Sequence, residues 1–275
     1  MIEIKNLTVR FEDNLILDDV SCTIEKGKIT SIIGKSGIGK SVLMKSVLGL
    51  IKTIEGEIYI DNISIKTRDK KELKGVKSKM AMLFQNSALF DSFDVFQNIA
   101  FPLIEHNLNI IPPPSPPTPQ AIWGGQSENS PPSSPKHTSL GGRKSKMSFE
   151  EIREKVREMI ALVNLPDIME MYPADLSGGM RKRVALARAI IQEPEYLIYD
   201  EPTTGLDPIT AKDIINLIEA IHHKLKMTSI IITHDKDCIK QLSEMMILID
   251  NKKILFKNDI ESFKTFENSI AKQFL

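Results

Sequence analysis

The sequence predicts an α/β fold with a mostly parallel central sheet and a second, antiparallel sheet near the N-terminus. Three observations carry that expectation. "KITSIIG", "YLIYD" and "SIIITHD" are short apolar runs of the kind found in strands buried on both faces. Helical spacing of apolar residues follows the first, in "KSVLMKSVLGL", and separates the other two from about Ile209 to Leu225. "IEIKNLTVRF" alternates apolar and polar positions, and "LILDDVSCTI" resumes the alternation after "EDN", as half-buried strands do. Near the end, "MMILIDNKKILF" reads as a hairpin turning at Asn251-Lys252.

The 275 residues suffice for one large domain or two small ones with a real core. Lys+Arg and Asp+Glu are both 36, so no global field draws the chain to nucleic acid or an anionic membrane. Cys22 and Cys238 have no CxxC companion and read as packed free thiols of a reducing cytosol. Met1-Ile2-Glu3-Ile4-Lys5 reads as a first strand, not a signal, and no run approaches the ~20 apolar residues that span a bilayer. The expectation is a soluble chain whose membrane role, if it has one, comes through a partner.

Between Asn109 and Lys146 the composition changes: nine of the fifteen prolines and the only tryptophan, Trp123, fall there without periodicity. Such a segment buries too little apolar surface to offset ordering and is expected to be a disordered insertion. Its polyproline start also fits an SH3-like partner, but an inert insertion is the simpler reading. Lengthening a connection from about 5 to about 45 residues costs only about 2 kcal/mol of closure entropy. Without it, "IAFPLIEHNL" joins "MSFEEIREKVREMIALVNL" as two pieces of one helical layer.

Gly34-Lys35-Ser36-Gly37-Ile38-Gly39-Lys40-Ser41 matches GxxxxGK[ST] in full, after a strand and before a helix. Glycines let consecutive N–H groups point at a phosphate, and the helix N-terminus adds roughly half a positive charge. Lys40 supplies a charge for the β- and γ-phosphates, and the Ser41 hydroxyl is a Mg²⁺ ligand. Asp200 ends "YLIYD" and is placed to hold Mg²⁺ through water, while the adjacent Glu201 faces another direction, toward an attacking water. A glutamate ordinarily titrates near about 4.3, so acting as a base at pH 7 asks about 3.7 kcal/mol of desolvation or repulsion. Failing that, Glu201 orients the water more than it deprotonates it.

A second anion site is written in "DLSGGMRKRV": Ser177, Gly178 and Gly179 open another helix. With these motifs in hand, the chain resembles the ATP-binding subunits of ABC transporters over nearly its whole length outside the insertion. The motifs occur in that family's order: "GKSGIGKS" (Walker A), "LFQNS" with Gln85 (Q-loop), "LSGGM" (signature), "YLIYDEP" (Walker B), "TGLDP" (D-loop) and "IITHD" with His234 (switch). The resemblance implies one P-loop NTPase cassette over 1–275: a RecA-like parallel core, an N-terminal antiparallel β subdomain, a helical subdomain over about 86–193 and a C-terminal tail from about 251. It implies ATP and Mg²⁺ as cofactors, and a head-to-tail pair of copies in which each "LSGG" caps the other's ATP. Gln85 would then reach Mg²⁺ and the attacking water, His234 the γ-phosphate, and Asp207 the dimer seam, while Phe11 replaces an aromatic, usually tyrosine, that stacks on adenine. Met180 stands where most members have glutamine, and since the donors are Ser177 and backbone N–H groups, binding does not require that glutamine.

Arg181, Lys182 and Arg183 are consecutive cations on a helix and read as a solvated face, not a nucleic-acid site. His106, His137, His222 and His223 lack ligand spacing. After Gln85, the cluster of Leu89, Phe90, Phe93, Val95, Phe96, Ile99 and Phe101 suits core and also a groove for a membrane partner's helix. "LFQNSALFDSFDVFQNIAFPL", "LSGGM" and "DEPTTGLDPIT" look most like the Mla/Mce-type phospholipid-transport ATPases, and "AKQFL" resembles that branch's tail, which contacts the other ATPase subunit. This implies a permease, an MCE-type lipid-binding protein and in some members a STAS-domain protein, at the cytoplasmic face of the inner membrane. Another ABC importer shares the motor with different cargo. A soluble ABC ATPase acting on DNA or ribosomes usually carries two cassettes or a coiled-coil insertion, and the sequence has neither.

Deleting Asn109 to Lys146 is expected to leave ATP turnover within about twofold of the full chain, because the closure term is small. Phosphate release measured on the deletion variant checks this; loss of folding would show that the segment is structural.

Overall fold

The computed structural model describes residues 1–12, 14–51, 54–105 and 147–274. The Asn109–Lys146 insertion, with Trp123 and His137, lies outside the described residues, as does His106. In chain order the elements begin with β1 (Ile2–Phe11), β2 (Asn14–Ile24), β3 (Ile29–Ile33), α1 (Lys40–Val47), β4 (Ile54–Ile60), β5 (Ile63–Ser64), α2 (Lys70–Lys77) and β6 (Met80–Leu83). Then follow α3 (Val95–Glu105), α4 (Phe149–Leu162), α5 (Gly178–Ile190), β7 (Tyr196–Asp200), α6 (Pro208–Leu225), β8 (Thr228–Ile232) and α7 (Lys236–Leu242). The chain closes with β9 (Met245–Asp250), β10 (Lys253–Asp259) and α8 (Ile260–Lys264).

Two sheets form, as the patterns predict. One is antiparallel, in the order β2-β1-β4-β5, and the other runs β10-β9-β3-β8-β7-β6. In the second sheet β9, β3, β8, β7 and β6 are parallel and only β10 is antiparallel, turning back from β9. That hairpin turns at Asn251 (φ 45°) and Lys252 (φ 67°), the paired left-handed conformation that matches strand twist. Every residue of β3, β7 and β8 is buried, which is why they read as continuous apolar runs rather than alternations.

The parallel sheet divides the core. On one face Ile198, Ile230 and Ile232 pack with Leu43 and Met44 of α1 and with Ile4, Val9 and Leu17 of the antiparallel sheet. On the other, Leu197, Tyr199 and Ile231 pack with Ile99, Ile152, Val156, Val184 and Ile218 from α3, α4, α5 and α6. Each such fully buried aliphatic contributes about 1.5–3 kcal/mol. α3 and α4, the two ends flanking the insertion, thus share one apolar layer, and α4 starts cleanly. Ser148 accepts from Glu151 N while Glu151 accepts from Ser148 N, a reciprocal cap.

Cys22 and Cys238 are both free and buried, and burial pushes each thiol up to about 12. The folded chain is expected to show no thiol reactive toward Ellman's reagent at pH 8, and two per chain after denaturation. A fast-reacting thiol in the native protein would contradict this packing.

Candidate active site

Parallel register fixes where the functional loops emerge. Ile32 of β3 and Asp200 of β7 both align with Ile232 of β8, and Leu83 of β6 aligns with Tyr199. The chain therefore leaves four neighbouring strands at one edge of the sheet, the usual ligand edge of an α/β fold. There a cleft of about 670 Å³ is lined by Gly34, Lys40, Ser41, Gln85, Glu201 and His234, together with Lys35, Ser36, Gly37 and Gly39. Most of the predicted phosphate and catalytic residues meet here. Ile38 does not line the cleft but packs beside the core. Phe11 ends β1, 44% exposed, and is also not in the lining, where Ile16 of β2 stands instead.

The loop's glycines answer two steric demands. Gly34 has φ 151° and a Cβ there would overlap the Ile249 carbonyl; Gly39 has φ 108° and a Cβ would lie 2.9 Å from Leu17 Cδ2. Gly39 thereby starts α1 with no side-chain cap, so the first N–H groups of the helix stay available to a phosphate. Lys40 Nζ donates to the carbonyls of Gly34 (2.8 Å) and Lys35 (3.0 Å), arching over its own loop. Burial lowers its pKa, opposed by the charges of Glu201 and Asp200.

Asp200 is buried, and Ser41 Oγ donates to its Oδ1 at 3.0 Å. Burial raises its pKa, partly offset by that hydrogen bond. The two predicted metal residues are thus already in contact. The donors at Ser41, Asp200 and Gln85 are all oxygens, which fits Mg²⁺ shared with phosphates rather than a protein cage. Among the described residues no cluster of three or more His, Cys, Asp or Glu is placed to hold a metal.

Glu201 points elsewhere, as adjacent positions must. Its φ of 50° is left-handed, and its N–H donates to Ile232 O at 2.8 Å. Oε2 lies 2.9 Å from His234 Nδ1 and accepts from Thr204 Oγ1 at 3.2 Å. The switch histidine and the candidate base are therefore one unit. Asp235, next to His234, caps α7 and accepts from Thr203 Oγ1 at 2.8 Å, joining the switch to the segment after Glu201.

The signature motif starts α5. Ser177 is its N-cap and accepts from Met180 N at 3.2 Å, which leaves the hydroxyl proton free for another acceptor. A Cβ on Gly179 would sit 2.6 Å from Thr210 Cγ2, and on Gly178 3.4 Å from Leu206 Cδ2. Gly179 thus lets α5 touch the first turn of α6, whose N-cap is Asp207, bonded to Ile209 N (3.1 Å) and Thr210 N (3.0 Å). Signature and D-loop are packed together. None of Ser177, Gly178, Gly179 or Asp207 lines the cleft of its own chain. Met180 is half-buried on the large core cluster, a place for a thioether where a glutamine would have to desolvate its amide.

One sequence expectation is revised. Lys182 is not on a solvated face: it is 5% exposed, and Nζ donates to the carbonyls of Gln85 and Glu201. Half-buried Arg183 spends a guanidinium N–H on Val163 O, whereas Arg181 is exposed, as expected, while donating to Leu176 O. In the aromatic stretch, Val95 and Ile99 are core and Phe96 stacks near Phe149, whereas Phe90, Phe93 and Phe101 form a half-exposed cluster with Arg188 over Phe90. Buried Asn98 ties that loop, accepting from Phe90 N and donating to the carbonyls of Phe90, Phe93 and Asp94. The tail packs on its own chain. Ala271 and Phe274 join Ile33, Ile239 and Leu248, and this brings Gln273 and Phe274 to the cleft. His222 is a satisfied core histidine, with Nδ1 3.0 Å from Ser229 Oγ.

Comparison with known proteins agrees with this geometry. Residues 17–204 match the ABC transporter family profile. The chain is 35% identical over 258 residues to the methionine import ATP-binding protein MetN of Carboxydothermus hydrogenoformans, covering 93% of this chain and 65% of that protein, just under two thirds of its length. It is 33% identical over 275 residues to the intermembrane phospholipid transport system ATP-binding protein MlaF of Haemophilus influenzae, covering all of this chain and 90% of that one. Among solved structures, the dimeric ATP-binding cassette MJ0796, bound to ADP and Pi in a post-hydrolysis state, superimposes with a TM-score of 0.73 at 27% identity. It covers 94% of this chain and 99% of the other.

The Gly179–Thr210 approach is testable. Gly179→Ala is expected to lower stability by about 1–3 kcal/mol through overpacking, and Thr210→Ser in the same chain to restore most of it by removing Cγ2. Denaturant midpoints of the two variants check this; an undisturbed midpoint for Gly179→Ala would show that the helices separate freely.

Proposed function

The chain belongs to the ABC transporter family as an ATP-hydrolysing subunit, and from that premise we propose that it drives phospholipid transport between membranes. In this reading two copies close head-to-tail on an Mla/Mce-type permease at the cytoplasmic face of the inner membrane. An MCE-type lipid-binding protein and a STAS-domain protein are the further partners, and the 275 residues form one cassette. The observation that carries the lipid assignment is the match to MlaF, which runs through the whole chain and most of that protein. The methionine importers favour a second reading, the same motor with an amino acid as cargo.

The geometry supports a division of labour. The loop N–H groups and Lys40 bind the phosphates of ATP, while Ser41, Asp200 and Gln85 face the position of Mg²⁺, which when bound with the nucleotide offsets phosphate charge. Glu201, held by His234 and Thr204, orients the attacking water and receives its proton as the water oxygen bonds to the γ-phosphorus and the bond from that phosphorus to the β,γ-bridging oxygen breaks, with ADP as the leaving group. Among the described residues that line the cleft, none comes from the signature motif. Ser177 and the start of α5 carry hydroxyl and N–H donors outside it, and exposed Asp207 and Ile209, the latter 79% exposed, flank them. In the proposed pairing these donors meet the γ-phosphate held by the other copy.

Isolating the complex from native membranes and identifying its proteins and lipids by mass spectrometry tests the cargo. The lipid reading expects a permease, an MCE-type protein and bound phospholipid. A complex without lipid whose ATPase responds to methionine would replace it with the second reading.

A further inference from the structure

We infer that Lys182 is a positioning residue for ATP hydrolysis, fixing the main chain at Gln85 and Glu201 and tying both to the signature helix. The inference rests on the reading of Gln85 and Glu201 as catalytic groups given above. Lys182 lies in the second turn of α5, five residues after the Ser177 cap, and is buried. Its ammonium donates to the carbonyl oxygens of Gln85, two residues after β6, and Glu201, the residue after β7 (3.4 Å). One side chain therefore bridges three segments that are distant in sequence.

Two physical arguments make this more than packing. First, Glu201 holds a left-handed φ of 50°, unfavourable for a residue with a Cβ, and such a conformation persists only where its surroundings fix it from both sides. Ile232 O holds its N–H, and its own carbonyl is held by Thr204 N (3.3 Å) and Lys182. That clamp aims the carboxylate at His234 rather than along β7. Second, a buried ammonium is costly, and an apolar side chain of the same length is often the more stable filler. A cation kept there at that cost, and aimed at the carbonyls of the two residues that face the attacking water, serves their placement. Because its helix begins at Ser177, any shift of α5 on engaging a partner's nucleotide also moves the anchor of Glu201.

Lys182→Met, Lys182→Gln and Lys182→Arg test the inference in steady-state ATPase and nucleotide-binding assays on the full chain in its complex. Lys182→Met is expected to lower kcat at least about tenfold with KM and nucleotide affinity within about threefold, and Lys182→Arg to recover most of kcat. In a Gln85→Ala/Glu201→Gln background the same Met substitution is expected to change the residual single-turnover rate less than about twofold, since it acts through those two residues. Unchanged kcat, or a loss that follows KM and melting temperature together without rescue by arginine, overturns it. If Lys182→Met does not fold, Lys182→Gln carries the comparison on the same criteria. Should Glu201→Gln and Gln85→Ala themselves turn over ATP normally, it is the reading of the site that fails. If those two are inactive while Lys182→Met is normal, only the present inference falls.

Discussion

The parallel register of β6, β7, β8 and β3 is the constraint on which the rest depends. Because the four strands end together, a glycine loop, a glutamine, a carboxylate pair and a histidine from remote stretches of chain share one cleft. Two interactions then set their roles. Ser41 holds Asp200 toward the phosphate loop, and the left-handed turn at Glu201 sends the next carboxylate to His234. A slip of one residue between β7 and β8 would exchange those directions.

Under the proposed head-to-tail pairing, the site so built is half a site. Its cleft gathers donors on the inner side of a triphosphate, and the chain's other anion-binding start, at Ser177, is absent from that cleft. Signature and D-loop pack on each other through Gly179 and Thr210, so they present as one surface, with Asp207 and Ile209 exposed at its edge. In that proposal a second copy, rotated to face the first, would place each such surface over the other's phosphate loop. In the proposed pairing, α5 would have its cap on one nucleotide while Lys182 holds the main-chain carbonyl of Glu201 in its own cleft.

Much of this was legible in the residues. Buried strands announced themselves by unbroken apolar runs, and the phosphate loop and Asp200 followed from a motif and a strand end, while His234 was placed by the resemblance to the ABC family. Lys182 was not legible from charge: in a run of three cations it looked solvated. The signal lay in helical phase, since Gly179, Lys182, Leu186 and Ile190 share the buried stripe of α5. Contacts between distant segments leave no such trace. Nothing local in "AKQFL" says that Phe274 packs beside Ile33, or that Gln273 comes to the cleft. Likewise the close approach demanding Gly179 depends on Thr210, thirty-one positions later, which no single-window pattern contains.

Complementation between two inactive chains tests the shared-site account most directly. Lys40→Ala removes the phosphate-loop charge and Ser177→Arg blocks the signature cap, so either variant alone should be inactive in ATP hydrolysis. Mixed in equal amounts, they should form pairs with one intact pocket, made of an unaltered loop from one copy and an unaltered signature from the other, and turnover should return. No recovery on mixing, or full non-cooperative turnover by an isolated single copy, would contradict the account.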